Sequence, residues 1–299
     1  MEIGMVGLGK MGLNLVTNLF RNNVNVVAFD ISPALVKEAE SAGASGVASL
    51  EELVAKLPSP RIVWIMVPAG NPTKAVVNEL TNLLEKGDII IDGGNSFYED
   101  SIQHYNKVLK KGIHFFDSGS SGGQEGARNG GNFMIGGNAE IFPIIEPIFK
   151  AIAQPNGYLY TGETGSGHYL KMVHNGIEYG MMGAIAEGFE LLERSPYNYN
   201  GENVADLWAH GSVIRGWLME LMRDAFTKDP KLEQISGVMY SSGEGRWTVE
   251  EALKREVPLP VITASLMMRY RSLEEDTFTG KVVAALRQEF GGHAVKSKA

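Results

Sequence analysis

Short apolar runs rich in β-branched residues recur through the first half of the chain, separated by stretches with helical periodicity. Ile3 to Val6, Val24 to Phe29, Ile62 to Val67, Ile89 to Ile91 and Ile113 to Phe116 read as strands. Their alternation with helical patterns implies a parallel sheet joined by crossover helices. Several runs are apolar at consecutive positions rather than alternate ones, as expected of central strands covered on both faces. Two more short strands are expected at Phe133 to Ile135 and Tyr158 to Tyr160.

After Thr161-Gly162-Glu163-Thr164-Gly165 the pattern changes. Helix formers continue through Arg194, strand signals fade, and breaks at Ser241-Ser242-Gly243 and Pro258-Leu259-Pro260 separate further helical stretches. The predicted class is therefore α/β: a doubly wound sheet domain over residues 1–163, followed by an all-α domain over residues 164–299. A chain of 299 residues also exceeds the size that one core usually serves.

Composition narrows the function. Hydrophobic residues make up 44% and charged residues 21%, ordinary values for a chain that folds by burial. A net charge of -8 argues against a nucleic-acid partner, which calls for a basic field. The absence of cysteine removes thiolate chemistry and sulfur-ligated metals, and makes a cytoplasmic location the simplest expectation. No apolar run approaches the roughly 20 residues of a membrane span, and no secretion signal is visible at Met1. The 36 glycines exceed average usage and point to tight turns or close backbone approach to a ligand.

The first glycine cluster supplies that ligand. Gly7-Leu8-Gly9-Lys10-Met11-Gly12 follows the first strand and opens a helix, the context in which GxGxxG becomes informative. The first glycine permits the turn, the second lets the backbone approach a pyrophosphate, and the third lets helix and strand pack closely. The helix N-terminus complements the negative charge. Asp30, 23 residues after Gly7, stands where a carboxylate accepts hydrogen bonds from adenosine ribose hydroxyls and repels a 2'-phosphate. Ile31 and Ser32 offer no arginine to such a phosphate, so NAD is expected in preference to NADP. The alternative for Asp30 is a turn or helix-capping carboxylate ahead of Pro33.

The helix that opens the second half carries Lys171, His174, Asn175 and Glu178 at i, i+3, i+4 and i+7, hence on one face. Its other faces hold Met172, Val173, Ile177, Met181, Met182 and Ile185, too apolar for a freely solvated helix. The stripe is either a solvated face or the lining of a cleft. Alcohol oxidation favours the cleft, because hydride leaves carbon as a base takes the hydroxyl proton, and Lys171 is a candidate base. Glu178 lies two turns away, about 10.5 Å along the axis, far enough for the two groups to serve different substrate atoms.

Three blocks carry a family resemblance: Lys171-Met-Val-His174-Asn175-Gly-Ile-Glu178-Tyr179-Gly180, Asp92-Gly-Gly-Asn95-Ser96, and Ser121-Gly122-Gly123-Gln-Glu-Gly-Ala-Arg128. Their order and spacing continue through Glu244-Gly245-Arg246-Trp247-Thr248, Arg269 and Arg287-Gln-Glu-Phe290-Gly-Gly-His293. Over nearly its whole length the chain resembles the 6-phosphogluconate dehydrogenases.

That resemblance implies a Rossmann domain followed by a helical domain, and oxidation of 6-phosphogluconate at C3 with decarboxylation to ribulose 5-phosphate, without a metal. Lys171 would be the general base and Glu178 the general acid. Asn95, Ser121, Gly122, Gly123, His174 and Asn175 would bind the sugar acid, and Tyr179, Arg269 and Arg287 its phosphate, with His293 nearby. Val67, Pro68, Ala69 and Asn95 would border the cofactor, and a homodimer or homotetramer is expected.

Three positions depart from the family pattern, one of them Asp30, which departs from the asparagine-arginine pattern of the NADP-type members. Ser242 stands where longer members commonly present a lysine to the phosphate, and Pro68 where many relatives have a lysine near the cofactor. Two other readings remain: a β-hydroxyacid dehydrogenase of the 3-hydroxyisobutyrate type, which lacks the decarboxylating acid, and a catalytically silent NAD-binding sensor, which would not need the Lys171 and Glu178 pair.

Overall fold

The computed structural model describes residues 1–292 and 294–296. Its first part runs β1 (Glu2–Val6), α1 (Lys10–Arg21), β2 (Asn25–Phe29), α2 (Pro33–Ser41), β3 (Ser45–Gly46), α3 (Leu50–Lys56), β4 (Ile62–Ile65), α4 (Asn71–Leu83), β5 (Ile89–Asp92), α5 (Tyr98–Val108), β6 (His114–Ser121), α6 (Gly123–Asn129), β7 (Gly131–Gly136), α7 (Phe142–Ile152) and β8 (Ala153–Gly162). Helices follow to the end: α8 (Ser166–Glu193), α9 (Gly201–Ala209), α10 (Trp217–Lys228), α11 (Gly243–Lys254), α12 (Pro260–Arg271) and α13 (Phe278–Gly291). The chain forms two compact units, Met1–Asn175 and Gly176–Ala299, so the division falls inside α8.

The eight strands form one sheet in the order β3-β2-β1-β4-β5-β6-β7-β8. Its two faces explain the consecutive apolar positions. Trp64, Ile91 and Phe116 enter one core cluster with Leu15, Phe133 and Phe149, while their neighbours Val63, Ile90 and Phe115 enter the other with Leu53, Val77 and Leu80. A strand covered on both sides has no solvent face, and the period of two separates cores instead of core from water.

The sheet departs from the all-parallel expectation at one place, where β6 and β7 pair antiparallel. Only residues 122–130 connect them, and a parallel return needs a crossover of about a dozen residues or more. The strands at this end are also longer than their apolar cores. β6 extends past Phe116 through Asp117-Ser118-Gly119-Ser120-Ser121, a polar and small-residue extension that carries the chemistry described below.

Candidate functional site

At the carboxyl ends of β1 and β2 the glycine motif takes up the expected geometry. Gly7 has φ +96°, and a Cβ there would lie 2.4 Å from the Met66 carbonyl oxygen. One at Gly12 would lie 2.0 Å from the Gly7 carbonyl oxygen. Gly9, in contrast, faces open space. It is the N-cap of α1 and no side chain caps that end, so the first N–H groups are left for an anion. The residues thus fit a dinucleotide: two glycines are required by packing, and the third keeps the approach to the helix end clear.

Leu8 is fully buried and its N–H donates to Asp30 Oδ2 at 2.7 Å, while Ser32 N–H donates to Oδ1 at 2.8 Å. Asp30 therefore closes the turn and retains lone pairs for ribose hydroxyls, so the two readings of this residue are compatible. Lys10 is exposed and Met11 half-buried. Val67 is half-buried, Pro68 and Ala69 are exposed, and the Pro68 carbonyl accepts from Thr73 Oγ1 at 2.9 Å. Asn95 is exposed in a turn closed by Asp92, which accepts from Gly94 N–H at 3.1 Å and Ser96 Oγ at 2.7 Å.

The first turns of α8 gather a second group. Lys171 is 5% exposed, and its Nζ donates to Asn175 Oδ1 at 2.7 Å. His174 Nδ1 lies 3.0 Å from the same oxygen, and His174 Nε2 lies 3.2 Å from Ser121 Oγ. The Lys171 nitrogen donates an N–H here whether or not it carries the extra proton, which fixes the amide oxygen toward it. That oxygen has no proton to give, so Nδ1 is the donor, and in the neutral ring Nε2 accepts from the Ser121 hydroxyl. Gly122, at φ +103°, turns the chain from β6 into α6, and Gly123 is exposed beside it.

Within the second unit a third group surrounds Tyr179, which is 4% exposed. Its hydroxyl accepts from Ser242 N–H at 3.0 Å and lies 3.2 Å from Ser242 Oγ. Arg269 stacks its guanidinium 3.6 Å from the Tyr179 ring centroid and donates to the Tyr240 carbonyl at 2.8 Å. A Cβ on Gly245 would lie 2.4 Å from the ring, so glycine there lets α11 approach the tyrosine. Ser242 is the N-cap of α11, which brings that helix's positive end to the arginine and phenol. Glu178 is half-buried on α8, two turns beyond Lys171.

Arg287 does not join this group. It is exposed on α13, a helix with no buried residue, and its guanidinium makes no hydrogen bond or ion pair among the described residues. His293 lies outside the described residues. Sequence reasoning missed Asp117, His168 and Ser101. All three are buried, with His168 Nδ1 2.7 Å from Ser101 Oγ, and Asp117 accepts from the N–H of Gly165, just before α8, and from that of His168 in its first turn. The available signal was Asp117-Ser118-Gly119-Ser120-Ser121, polar or small residues on an otherwise apolar strand. Burial also raises the Asp117 carboxyl above the usual carboxylate range.

Comparison with known proteins fits this arrangement. Residues 2–164 match the family model described as the NAD binding domain of 6-phosphogluconate dehydrogenase, and residues 167–289 match that enzyme's C-terminal domain. The chain belongs to the 6-phosphogluconate dehydrogenase family. It is 57% identical over 298 residues to YqeC of Bacillus subtilis, a protein only provisionally given that activity, with all of both chains covered. It is 40% identical over 300 residues to the NAD(+)-dependent, decarboxylating 6-phosphogluconate dehydrogenase of Haloferax volcanii, covering 100% of this chain and 99% of that one.

Among solved structures, the 6-phosphogluconate dehydrogenase of Plasmodium falciparum superposes with TM-score 0.84 at 28% identity, covering 100% of this chain and 66% of its own. A Salmonella typhimurium 3-hydroxyisobutyrate dehydrogenase superposes with TM-score 0.76 at 20% identity, covering 91% and 93% of the two chains, a likeness of fold alone. Family membership makes this chain an oxidoreductase with a nicotinamide-cofactor domain, and the helical second part is that family's own C-terminal domain.

Proposed function

We infer that the protein oxidises 6-phosphogluconate and decarboxylates the product to ribulose 5-phosphate, with NAD in preference to NADP. The observation that carries this reading is the buried Lys171 held by Asn175 on the helix that also bears Glu178 and Tyr179. Gly7, Gly9, Gly12 and Asp30 would hold the dinucleotide, which would supply the acceptor for the hydride that leaves C3. Lys171 takes the C3 hydroxyl proton as that hydride leaves, then holds a proton against the new ketone oxygen and draws electrons from the C1–C2 bond. Carbon dioxide departs with the carboxyl carbon, and Glu178 protonates the carbon left behind in the enediol.

Asn175 aims the lysine, and Ser121 and His174 offer hydroxyl partners to the sugar acid. The phosphate falls to Tyr179, Arg269, the Ser242 hydroxyl and the N-terminus of α11. Arginine and a helix end substitute for the lysine that longer relatives use, since planar guanidinium and backbone N–H groups both match phosphate oxygens. Arg287 would complete this site only if a second copy or a rearrangement brought it there. Phe278, Val282, Leu286 and Phe290 repeat every four residues on exposed α13, an apolar stripe suited to a homodimer or homotetramer.

Asp30 favours NAD by accepting from both ribose hydroxyls and repelling a 2'-phosphate. The deciding experiment measures NADH and carbon dioxide formed from 6-phosphogluconate, with NADP and unphosphorylated gluconate in parallel. Equal yields of NADH and carbon dioxide are expected. NADPH alone overturns the role of Asp30, and no product from 6-phosphogluconate overturns the substrate.

A further inference from the structure

Alternate residues of β6 meet successive turns of α8. Asp117 accepts from Gly165 N–H at 2.6 Å and from His168 N–H at 2.8 Å. A Cβ on Gly119 would lie 2.3 Å from Lys171 Cβ, so strand backbone lies directly against the lysine stem. Ser121 Oγ is 3.2 Å from His174 Nε2. Residues 117, 119 and 121 share one face of a strand, and residues 168, 171 and 174 share one face of a helix. The strand therefore sets both the start of the helix and the seat of its lysine.

We propose that Asp117 is a positioning residue for Lys171: its carboxylate grips the first turn of α8 from the strand that also carries Gly119, and so fixes where the lysine stem enters. The inference rests on the role given to Lys171 above. Four observations support it. Asp117 and His168 are 0% and 1% exposed, so water does not compete for the two N–H groups. Both oxygens of Asp117 reach the start of α8, where a helix has N–H groups without internal partners. Gly136 and Gly167 tighten the same junction: a Cβ at Gly136 would lie 2.7 Å from Asp117 Oδ1, and one at Gly167 would lie 2.7 Å from the Asp117 carbonyl oxygen. His168, through Ser101, ties the turn to α5 as well. This turn of α8 is thus held from two sides, one residue triplet before the lysine.

A residue that only stabilised the fold would lower the amount of folded enzyme and leave each folded molecule as active as before. Asp117→Asn retains one acceptor and turns an N–H donor toward the N–H of either Gly165 or His168, so the first turn must shift. We expect kcat per folded molecule to fall about 30-fold or more, with KM and NAD dissociation constant changed less than about 3-fold, as for a loss expressed in the chemical step. Gly119→Ala displaces Lys171 without touching the carboxylate. It should give the same signature, and the double variant should lose far less than the product of the two single effects.

Lys171 itself gives a readout independent of the assigned substrate. Its rate of modification by a small amine-directed reagent, followed by peptide mass spectrometry, should change at least about 5-fold in both variants relative to wild type, well beyond the spread of a side chain left in place. Unchanged kcat per folded molecule together with unchanged Lys171 modification overturns the proposal, as does full multiplicativity in the double variant. If Asp117→Asn does not fold, Gly119→Ala alone decides, because unchanged Lys171 modification there also overturns it. Wild type that leaves 6-phosphogluconate untouched condemns the substrate assignment alone, since the modification rates still test the positioning.

Discussion

Lys171 Nζ and Asn175 Oδ1 stand 2.7 Å apart, one turn of α8 apart in sequence, with both residues buried. The amide oxygen directs the nitrogen, and the nitrogen carries the proton chemistry. Lys171→Met, similar in length and without a proton to move, should lower the oxidation rate by about 100-fold to 10,000-fold, the range of a lost general base. NAD binding, measured by fluorescence quenching, should be unchanged, because the glycine turn that receives it lies on another element.

Asn175→Ala leaves the lysine in place and removes its acceptor. A fall of about 10-fold to 100-fold in kcat is expected, with a smaller effect on KM, since misplacement of a reacting group registers in the chemical step. Steady-state kinetics that show a change in KM alone would place Asn175 with the binding residues instead.

Arg269 places its guanidinium carbon 3.6 Å from the Tyr179 ring centroid and reaches the Tyr240 carbonyl. For Arg269→Ala we expect KM for 6-phosphogluconate to rise about 10-fold to 100-fold, as for loss of one charged hydrogen-bonding partner. Turnover of unphosphorylated gluconate, expected to be much weaker, should be untouched. Equal losses on both substrates would separate this arginine from the phosphate.

Acid should destabilise the protein through its histidines. Burial holds His104 and His114 below the ordinary histidine value of 6.5. As pH falls past that value, the unfolded chain takes up protons that the folded imidazoles refuse. The stability they contribute is present above it and is lost as pH falls toward their folded values. Urea titrations between pH 7.5 and 5.5 should show this decline, and His104→Gln should reduce its slope.

Much of this molecule was legible in its sequence, for identifiable reasons. Trp64, Ile91 and Phe116 announce a two-faced sheet because their neighbours are equally apolar. Gly7 and Gly12 announce a turn that no side chain tolerates. The stripe from Lys171 to Asn175 follows from the helical period alone, and the hydrogen bond between them bears out the shared face. The antiparallel β7 was not legible, because the limit is set by the length of the connection rather than by any pattern within the strand. Nor was Asp117: an aspartate beyond an apolar strand reads as a turn residue until the helix whose end it receives, some fifty residues later, is in view.

The double use of Asp30 constrains how cofactor choice can evolve. One oxygen secures the Leu8 amide inside the glycine turn, and the other secures Ser32. A mutation that merely admits a 2'-phosphate by removing the carboxylate also releases the loop on which every dinucleotide must rest. A path from NAD to NADP therefore passes through an intermediate poor with both, unless another acceptor for those amides arrives first. Redesign should begin there, with the loop repaired before an arginine is introduced.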